Sequence, residues 1–367
     1  MAFDTNYEET LQNIAESIEL PDSNLKRLQD SYNAILNLLK YDPFFSAYED
    51  KIEIFPQGSV RLGTTIKSKK TDFDLDLVIH INIPYTSYSF NTIHQKLFDV
   101  LQKDGTYEDK VHKSNRCVTV DYENNYHMDL LPALTYNYKT GSLAVPDREA
   151  ADWTISNPEG FAKWFLSIAD RILMTENFDR SLDLAQFTKS KERPLKNAIK
   201  IIKMYRDEYC IGKLEELKIP SIIITYLAAC SYKSTSTIYD TIMNFISFCK
   251  RGIETNTIRS FDNPIEPLES YSERWEDNPL IYSGFSNFLD ELEKKIRKIA
   301  SETNNVLRED FIKSMVSMEN YNSGLIHFSE NQKRIRKENN NFESLKKLAE
   351  PKTSFHKPYF VKNEKNN

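Results

Sequence analysis

Cysteine is scarce in this sequence, and long apolar runs are missing from it. The 367 residues include four cysteines, and no two of them form a C-x-x-C pair. This spacing argues against a disulfide framework or a zinc finger and favours buried thiols in a reducing compartment. No apolar stretch approaches the roughly 20 residues that span a bilayer, and the first residues show no basic-then-apolar signal. We therefore expect a cytoplasmic protein with no membrane partner.

The chain also lacks an excess of positive charge. Its 48 lysine and arginine residues are outnumbered by 54 acids, which gives a net charge of −6. We therefore expect no stable nucleic-acid binding, although bulk charge does not argue against a local basic groove. No linker rich in glycine or proline divides the chain, and its length suits one large domain or two ordinary ones.

The most informative stretch lies between residues 52 and 81. A short apolar run is followed by Gly58-Ser59, a lysine-rich connection and a second apolar run that contains Asp74 and Asp76. Because strand side chains alternate between two faces, Asp74 and Asp76 share one face. Asp72 falls on the same face, so Asp72 and Asp74 are the alternative pair. We favour Asp74 and Asp76 because apolar residues flank both of them, as a central strand requires.

Two neighbouring carboxylates on one strand face predict a cation. They repel each other, and leaving both charged near a core is costly. Mg²⁺ prefers oxygen ligands, typically one or two carboxylates and the phosphates of a substrate. The turn at Gly58-Ser59 offers backbone N–H groups and a hydroxyl to a phosphate. Turn and acids together predict metal-assisted nucleotide chemistry, whereas the acids alone could equally lie on the solvated face of an edge strand.

A third candidate acid lies in a later strand. Residues 126–132 alternate like a strand, and Asp129 lies between apolar neighbours, where an acid without a partner is costly. Asp121 is nearby but lies outside this run. We expect Asp129 to bind a metal and to help deprotonate an attacking hydroxyl, as in two-metal phosphoryl transfer. The alternative is an aspartate that only caps a helix or a turn.

Helical patterns dominate the rest of the chain. Residues 4–40 have helical spacing, and Lys196, Lys200 and Lys203 fall together beside the apolar stripe of a later helix. Such lysines usually form a solvated face. Ser221 lies in the first turn of a nearly all-apolar helix, and this helix end suits either an anion or a simple cap.

The order of these elements resembles a known superfamily. A G-S loop, an h-D-h-D-h strand and a distant h-D-h-h-P strand, where h is apolar, resemble the polymerase-β-like nucleotidyltransferases. More narrowly, the chain is similar to the cGAS/DncV-like nucleotidyltransferases (CD-NTases) of bacterial CBASS anti-phage signalling. The supporting stretches are FPQGSVRLGT at 55–64, MDLLPA at 128–133, GSLAVPDR at 141–148, Trp153, Asn157-Pro158, NPIEP at 263–267 and YSERW at 271–275.

The resemblance implies an α+β fold with two lobes. Residues 1–150 would form a polymerase-β-like catalytic lobe with a mixed sheet and the N-terminal helices. Residues 151–330 would form a helical lobe that closes the nucleotide cleft. The implied metal ligands for two Mg²⁺ ions, with Mn²⁺ as a substitute, are Asp74, Asp76 and Asp129. The implied nucleotide contacts are Gln57, Gly58, Ser59, Lys203 and Ser221.

The same resemblance implies a reaction on NTP substrates. A ribose hydroxyl would attack an α-phosphate and release pyrophosphate, and a second such step would close a cyclic di- or trinucleotide that activates a downstream effector. One alternative is transfer of a nucleotide to an RNA or protein hydroxyl, as in toxin–antitoxin transferases. Another is a catalytically inactive nucleotide sensor. The motif at 263–275 argues against the first alternative, and the presence of all three acids argues against the second.

Residues 331–367 differ in composition from the rest. They contain ten lysine and arginine residues but four acids, together with short runs of asparagine. We expect a flexible basic tail that suits docking of a regulatory or modifying protein.

Overall fold

The alternating runs of the sequence form a mixed β-sheet with helices around it. The computed structural model of the chain describes residues 5–20, 22–66, 73–122, 126–170, 194–211, 218–234 and 237–302. The strands in these ranges are β1 (Ile52–Pro56), β2 (Phe73–Pro84), β3 (Val111–Lys113), β4 (Val118–Tyr122), β5 (Tyr126–Asn137), β6 (Ser142–Asp147), β7 (Asp152–Ser156), β8 (Asp262–Asn263) and β9 (Glu266–Ser270). The α-helices are α1 (Thr5–Ser17), α2 (Asp22–Tyr41), α3 (Gly58–Leu62), α4 (Phe90–Lys103), α5 (Pro158–Ala169), α6 (Pro194–Tyr209), α7 (Ser221–Ser231), α8 (Ile238–Glu254), α9 (Glu273–Asp277) and α10 (Pro279–Ser301).

Strands β2 and β5 form the centre of the main sheet. Across the described residues its order is β1-β2-β5-β4-β3, and β6 pairs with both β5 and β7. β2 and β5 run parallel to each other, whereas β1 pairs antiparallel with β2, and β4 and β6 pair antiparallel with β5. The first half of β5 pairs with β4 and its second half with β6. The two long strands that contain the predicted acids are therefore neighbours.

The central strands bury apolar side chains on both faces. Leu75, Leu77 and Ile79 of β2 belong to a cluster that includes residues of α2 and α4. Val78 points the other way and packs with Leu131 in a smaller cluster. Fully burying one such side chain contributes about 1.5–3 kcal/mol, so a strand that is apolar on both sides is stable only at the centre of a sheet.

The helices of the later part of the chain form a second core. This core unites apolar residues of α6, α7, α8 and α10, and the first helix, α1, packs into it through Tyr7, Leu11 and Ile14. The two cores explain how a cleft arises, because the sheet and the helical core each bury their own apolar surface. Among the described residues, no helix is both long and apolar enough to cross a membrane.

The observed architecture confirms the predicted α+β fold with a mixed sheet. It also adds strands where the sequence indicated helices, because β7 and the hairpin β8–β9 lie beyond residue 150. Pro264 at the tip of that hairpin lacks the N–H group that a helix would need. The proposed divisions at residues 150 and 330 stay predictions, and α1 packs with the later helices rather than against the sheet. The basic segment 331–367 lies outside the described ranges.

Candidate active site

Two predicted acids meet across the central pair of strands. Asp76 of β2 is the register partner of Asp129 of β5, so the two side chains leave the same face of the sheet. Asp74 lies two positions earlier on β2, opposite His127, and the strand period places it on that face too. The side chain of Asp74 and the whole of Asp72 lie outside the described part of the chain. Asp129 stands within a strand, so the interpretation as a capping residue is wrong.

The surroundings of Asp76 and Asp129 fit a divalent cation. The Thr119 hydroxyl donates a hydrogen bond of 2.5 Å to Asp129 Oδ1. Burial raises the pKa of the nearby Cys117 thiol well above its ordinary value, and the charges of Asp129 and Asp76 raise it further. Negative potential is therefore concentrated here. In the described part of the chain, no three His, Cys, Asp or Glu side chains form a complete metal cage. Two carboxylates that leave coordination positions to phosphate oxygens are what Mg²⁺ sites usually offer.

The loop after β1 lies directly against Asp76. The backbone N–H of Gln57 donates a 2.8 Å hydrogen bond to the Asp76 carbonyl. Gly58 has a positive φ of 60°, and a Cβ at this position would lie 3.2 Å from Asp76 Cγ and collide with Oδ2. The Ser59 hydroxyl accepts a 3.1 Å hydrogen bond from the Thr65 hydroxyl, which orders the end of the loop. Glycine thus allows the loop to approach the acid without backbone strain or a side-chain clash.

Lys203 supports the same loop from the helical side. Its side chain is buried, and Nζ lies 3.2 Å from the Thr64 hydroxyl and 3.4 Å from the Thr64 carbonyl. Burial lowers the pKa of Lys203 to about 7, and the Arg206 guanidinium contributes in the same direction, while Asp207 and Asp76 partly oppose it. An anion next to this amine would favour its charged form and raise the pKa again.

The other two lysines of this helix do not form a solvated face. Lys196 and Lys200 are both buried. Lys196 forms a 2.5 Å ion pair with Asp170, and Lys200 pairs with Glu19 at the end of the N-terminal region. Their positive charges are neutralised by acids that are distant in sequence. Helical spacing does not reveal such partners, so it indicated exposed lysines.

Ser221 is the first residue of α7 and faces the open cleft. The N-cap position belongs to Pro220, and Ser221 is exposed. The Ser221 hydroxyl accepts a 2.9 Å hydrogen bond from Arg206 Nη1, which also donates to the Ile219 carbonyl at 2.8 Å. Ser221 is thus a hydroxyl oriented by a buried guanidinium and not a helix cap.

A cleft of ≈ 440 Å³ connects these groups. Gln57, Gly58 and Asp76 line it on the sheet side, and Ser221 lines it on the helical side. Ser59, Asp129 and Lys203 are not among the described residues that line the cleft. Asp129 is the neighbour of Asp76 in the sheet, and Lys203 supports the loop through Thr64. The structure therefore brings four of the predicted residues to the cleft lining and places these three next to it.

Aromatic and charged residues that sequence reasoning did not select also line the cleft. Tyr271 packs edge-on against Phe161 with ring centroids 5.3 Å apart, and both line the cleft. Burial raises the pKa of the Tyr271 hydroxyl, so this ring stays neutral. Arg116 and Glu273 line the cleft as well. Tyr271 and Glu273 belong to the stretch 271–275, so the family resemblance was the signal that could have found them.

The hairpin β8–β9 holds this aromatic wall in place. Glu269 accepts hydrogen bonds from the Ser156 hydroxyl at 2.7 Å, the Asn157 backbone N–H at 2.9 Å and the Asn263 side-chain amide at 2.7 Å. Its carboxylate thereby connects the hairpin to the end of β7 and the start of α5. Tyr271 directly follows β9, so these bonds fix the strand from which the ring projects.

Comparisons with known proteins agree with this geometry. Residues 5–168 match the family model of the Second Messenger Oligonucleotide or Dinucleotide Synthetase domain. The chain is 37% identical over 300 residues to a c-di-GMP synthase of Roseivirga ehrenbergii, which covers 78% of each chain. It is 22% identical over 334 residues to the cyclic dinucleotide synthase CdnG of Bradyrhizobium diazoefficiens, covering 82% of this chain and 77% of the relative.

Solved structures share the fold. The structure of Bradyrhizobium diazoefficiens CdnG in complex with GTP superposes with a TM-score of 0.70 at 18% identity, covering 86% of this chain and 97% of the other. An Escherichia coli MS115-1 CdnC in complex with a HORMA protein gives a TM-score of 0.61 at 12% identity, covering 86% and 99%. At these identities the likeness concerns the fold alone.

Proposed function

The chain belongs to the CD-NTase family, with its polymerase-β-like nucleotidyltransferase fold, and we propose that it joins two NTPs into a cyclic dinucleotide second messenger. The family resemblance seen in the sequence motifs is thereby confirmed. The observation that carries the proposal is the pairing of Asp76 with Asp129 beside the Gly58 loop, because phosphoryl transfer needs paired acids next to a phosphate site. GTP is our first candidate substrate, since the relative that is 37% identical is a c-di-GMP synthase.

Asp74, Asp76 and Asp129 are the proposed metal ligands. Two divalent ions, Mg²⁺ in our proposal and Mn²⁺ as a substitute, would neutralise phosphate charge and acidify the attacking hydroxyl. Asp129 is the proposed acceptor of the proton of the attacking ribose hydroxyl. Its hydrogen bond from Thr119 restrains the rotation of this carboxylate, on the strand that pairs with that of Asp76.

The triphosphate is proposed to lie between the Gly58 loop and the start of α7. On one side, Gly58 brings the backbone close to Asp76, and Ser59 adds a hydroxyl. On the other side, Lys203 and the Arg206-oriented Ser221 supply positive charge and a hydrogen-bond donor. Catalysis would then rest on positioning and on charge neutralisation rather than on a covalent enzyme intermediate.

Tyr271 is the proposed stacking surface for a base. Its ring is held edge-on by Phe161 and Tyr226, with centroid distances of 5.3 and 6.1 Å, so it would lose little freedom when a base binds. A base stacked on an aromatic ring typically gains about 1–3 kcal/mol.

After the first transfer, the linear intermediate would have to turn so that its free hydroxyl reaches the remaining α-phosphate. The product would act on a downstream effector of anti-phage defence, as the family role implies. The cytoplasmic location stays a prediction, as does a regulatory protein that docks on residues 331–367.

The proposal is tested by product analysis of the purified protein. Labelled NTPs with Mg²⁺ or Mn²⁺ are followed by phosphatase treatment and chromatography, and single-NTP omissions identify the bases. We expect a phosphatase-resistant product that Asp76→Asn and Asp129→Asn each reduce more than about 100-fold. Melting temperatures should stay similar or rise, because one repulsive carboxylate is lost.

Asp121→Asn is the matched control for that experiment. Asp121 lies on β4 near the same strands but is paired with His127, so its amide variant should retain synthesis. A linear or protein-linked product would favour the other transferase classes, and no nucleotide product with any substrate would favour a binding protein. Full activity of Asp76→Asn would refute the assignment of the site.

A further inference from the structure

Arg116 and Glu273 form an opposite-charge pair on the wall of the cleft. Both side chains line it, and Arg116 Nη2 lies 3.5 Å from Glu273 Oε2. The side chains are 39% and 59% exposed. The separation exceeds that of an ordinary hydrogen bond, so a ligand could replace this contact at little cost. Neither residue has a role in the reaction proposed above.

Asp147 fixes the orientation of the Arg116 guanidinium. Arg116 Nε and Nη2 both lie 2.9 Å from Asp147 Oδ2, and the Asp147 side chain is 7% exposed. Asn115 Nδ2 and the Ala150 N–H donate to the other oxygen, at 3.1 and 2.9 Å. Although burial opposes ionisation, the bonds from Ala150 and Arg116 outweigh it and hold the pKa of Asp147 below its usual range.

The buried Asp147 thus holds the Arg116 guanidinium in one orientation at the cleft. Asp147 belongs to the stretch GSLAVPDR at 141–148. A two-point contact of this kind restricts the rotation of a guanidinium. Arg116 therefore presents its remaining N–H groups in a defined plane and not as a mobile charge.

Glu273 differs from the other carboxylate on this wall. Glu269 already accepts bonds from Ser156, Asn157 and Asn263, and its role is structural. Glu273 instead meets Arg116 at the cleft surface, two residues after Tyr271. A base stacked on Tyr271 would therefore have its edge near a planar donor, Arg116, and a neighbouring acceptor, Glu273.

We infer that Arg116 and Glu273 recognise the edge of a guanine base, with Asp147 as the positioning residue for Arg116. Guanine presents two adjacent acceptors, O6 and N7, which an arginine contacts bidentately. Beside O6 it carries the N1–H and N2–H donors, which suit a carboxylate. Adenine has an acceptor at N1 and a donor at N6. The Arg116 donors would therefore face the N6 donor, and the Glu273 acceptor would face the N1 acceptor. This inference rests on the proposed function, because it names the base that the synthase selects.

The test compares base analogues across variants of the full chain. We would measure kcat/KM by pyrophosphate release for GTP, 7-deaza-GTP, ITP and ATP. 7-deaza-GTP lacks the N7 acceptor, and ITP lacks the N2 donor. In the wild type we expect GTP to be preferred to ATP and each analogue to react about 10-fold less well than GTP. Arg116→Met should abolish the difference in kcat/KM between GTP and 7-deaza-GTP. Glu273→Gln should abolish the difference in kcat/KM between GTP and ITP.

Both variants should lower kcat/KM for GTP by about 10- to 100-fold and leave ATP within about 3-fold. Asp147→Asn should repeat the Arg116→Met pattern and add nothing in the double variant, because it acts through that side chain. The matched control is Asp277→Asn, an exposed acid on the same helix α9, which should change no ratio. Melting curves identify variants that fail to fold. If Asp147→Asn fails to fold, Arg116→Met and Glu273→Gln still test whether the pair recognises guanine.

Equal losses for GTP and ATP would overturn the inference and assign Arg116 to phosphate binding. If the variants kept the wild-type ratio of kcat/KM for GTP to kcat/KM for ATP, the inference would be overturned as well. Equilibrium binding of non-hydrolysable GTP and ATP analogues gives a readout that does not depend on catalysis. If the wild type formed no product, the proposed function would fail, while a preference for the GTP analogue that Arg116→Met removes would still support guanine recognition.

Discussion

At the scale of single residues, Gly58 couples the backbone of the loop to the chemistry of the site. The residue has a left-handed conformation, and the carboxylate of Asp76 occupies the space that a Cβ would need. Any other L-residue would be strained by about 1–2 kcal/mol and would also push on a proposed metal ligand. Two separate effects, one on stability and one on geometry, therefore meet at one position.

Gly63 allows these effects to be separated. It also has a positive φ, 67°, but a Cβ there would meet Lys196 side-chain atoms at 3.6 Å, an ordinary contact distance. We predict that Gly58→Ala and Gly63→Ala lose similar stability, about 1–2 kcal/mol each, in denaturant unfolding. Gly58→Ala should in addition lose about 100-fold in turnover, because it displaces Asp76. Equal turnover in the two variants would show that the approach of Gly58 to Asp76 has no catalytic consequence.

At the scale of elements, the sequence predicts best those strands whose own pattern determines their place. Residues 75–79 of β2 and 128–134 of β5 are apolar on both faces except at the acids, and this pattern marks central strands. The sequence could place Asp74 and Asp76 on one face, but it could not give the register that sets Asp76 opposite Asp129. Register depends on contacts between strands about 50 residues apart, which no local pattern encodes.

Elements that depend on distant partners were harder to predict. β9 is short, with Pro267 in it, and its Glu269 finds partners at Ser156 and Asn157, more than 100 residues earlier. Likewise, Lys196 and Lys200 are buried because acids from other segments reach them. Local propensity describes such segments poorly, since long-range ion pairs and hydrogen bonds determine their environment.

The hairpin β8–β9 yields a prediction at this scale. Glu269→Ala removes the acceptor for three hydrogen bonds and leaves the Asn157 N–H and Asn263 amide without that partner. We expect a loss of about 1–3 kcal/mol in unfolding free energy and a KM for NTP that rises more than kcat falls, because Tyr271 loses its support. Leu268→Ala on the same strand is the control, since this side chain is 63% exposed. A wild-type KM in the Glu269→Ala protein would separate the hairpin from nucleotide binding.

At the scale of the whole molecule, the cleft lies between two apolar cores with different tasks. The core around the sheet fixes the strands that contain the acids, and the helical core fixes the helices that contain Lys203, Arg206 and Ser221. The protein is acidic overall, with a net charge of −6, yet it buries Lys203 beside the site, close to an Arg206 that is already paired with Asp207. Burying the charged form of Lys203 lowers the stability of the folded protein. A bound triphosphate would offset this cost, because its negative charge would stabilise the ammonium group.

This cost should be visible in the pH dependence of stability. Lys203 has a pKa of about 7 in the folded protein, against an ordinary value near 10.5. Below pH 7 both folded and unfolded forms carry the proton, and the folded form bears the full cost of burial. Between pH 7 and about 10.5 the unfolded chain binds more protons, so this residue makes stability rise with pH. We predict that Lys203→Met is more stable than the wild type at pH 6.5, by on the order of a few kcal/mol, and that this difference shrinks towards pH 9.5.

Lys203→Arg provides the control for that titration, because a guanidinium stays charged throughout this range. Its stability difference from Lys203→Met should therefore stay constant between pH 6.5 and 9.5, when measured by urea unfolding at each pH. A nucleotide triphosphate should reduce the pH dependence of the wild type, since a phosphate favours the protonated amine and raises its pKa towards the unfolded value. If the wild type and Lys203→Met kept a fixed difference at all pH values, the buried lysine would not titrate near neutrality. Burial of Lys203 would then impose no pH-dependent cost for a triphosphate to offset.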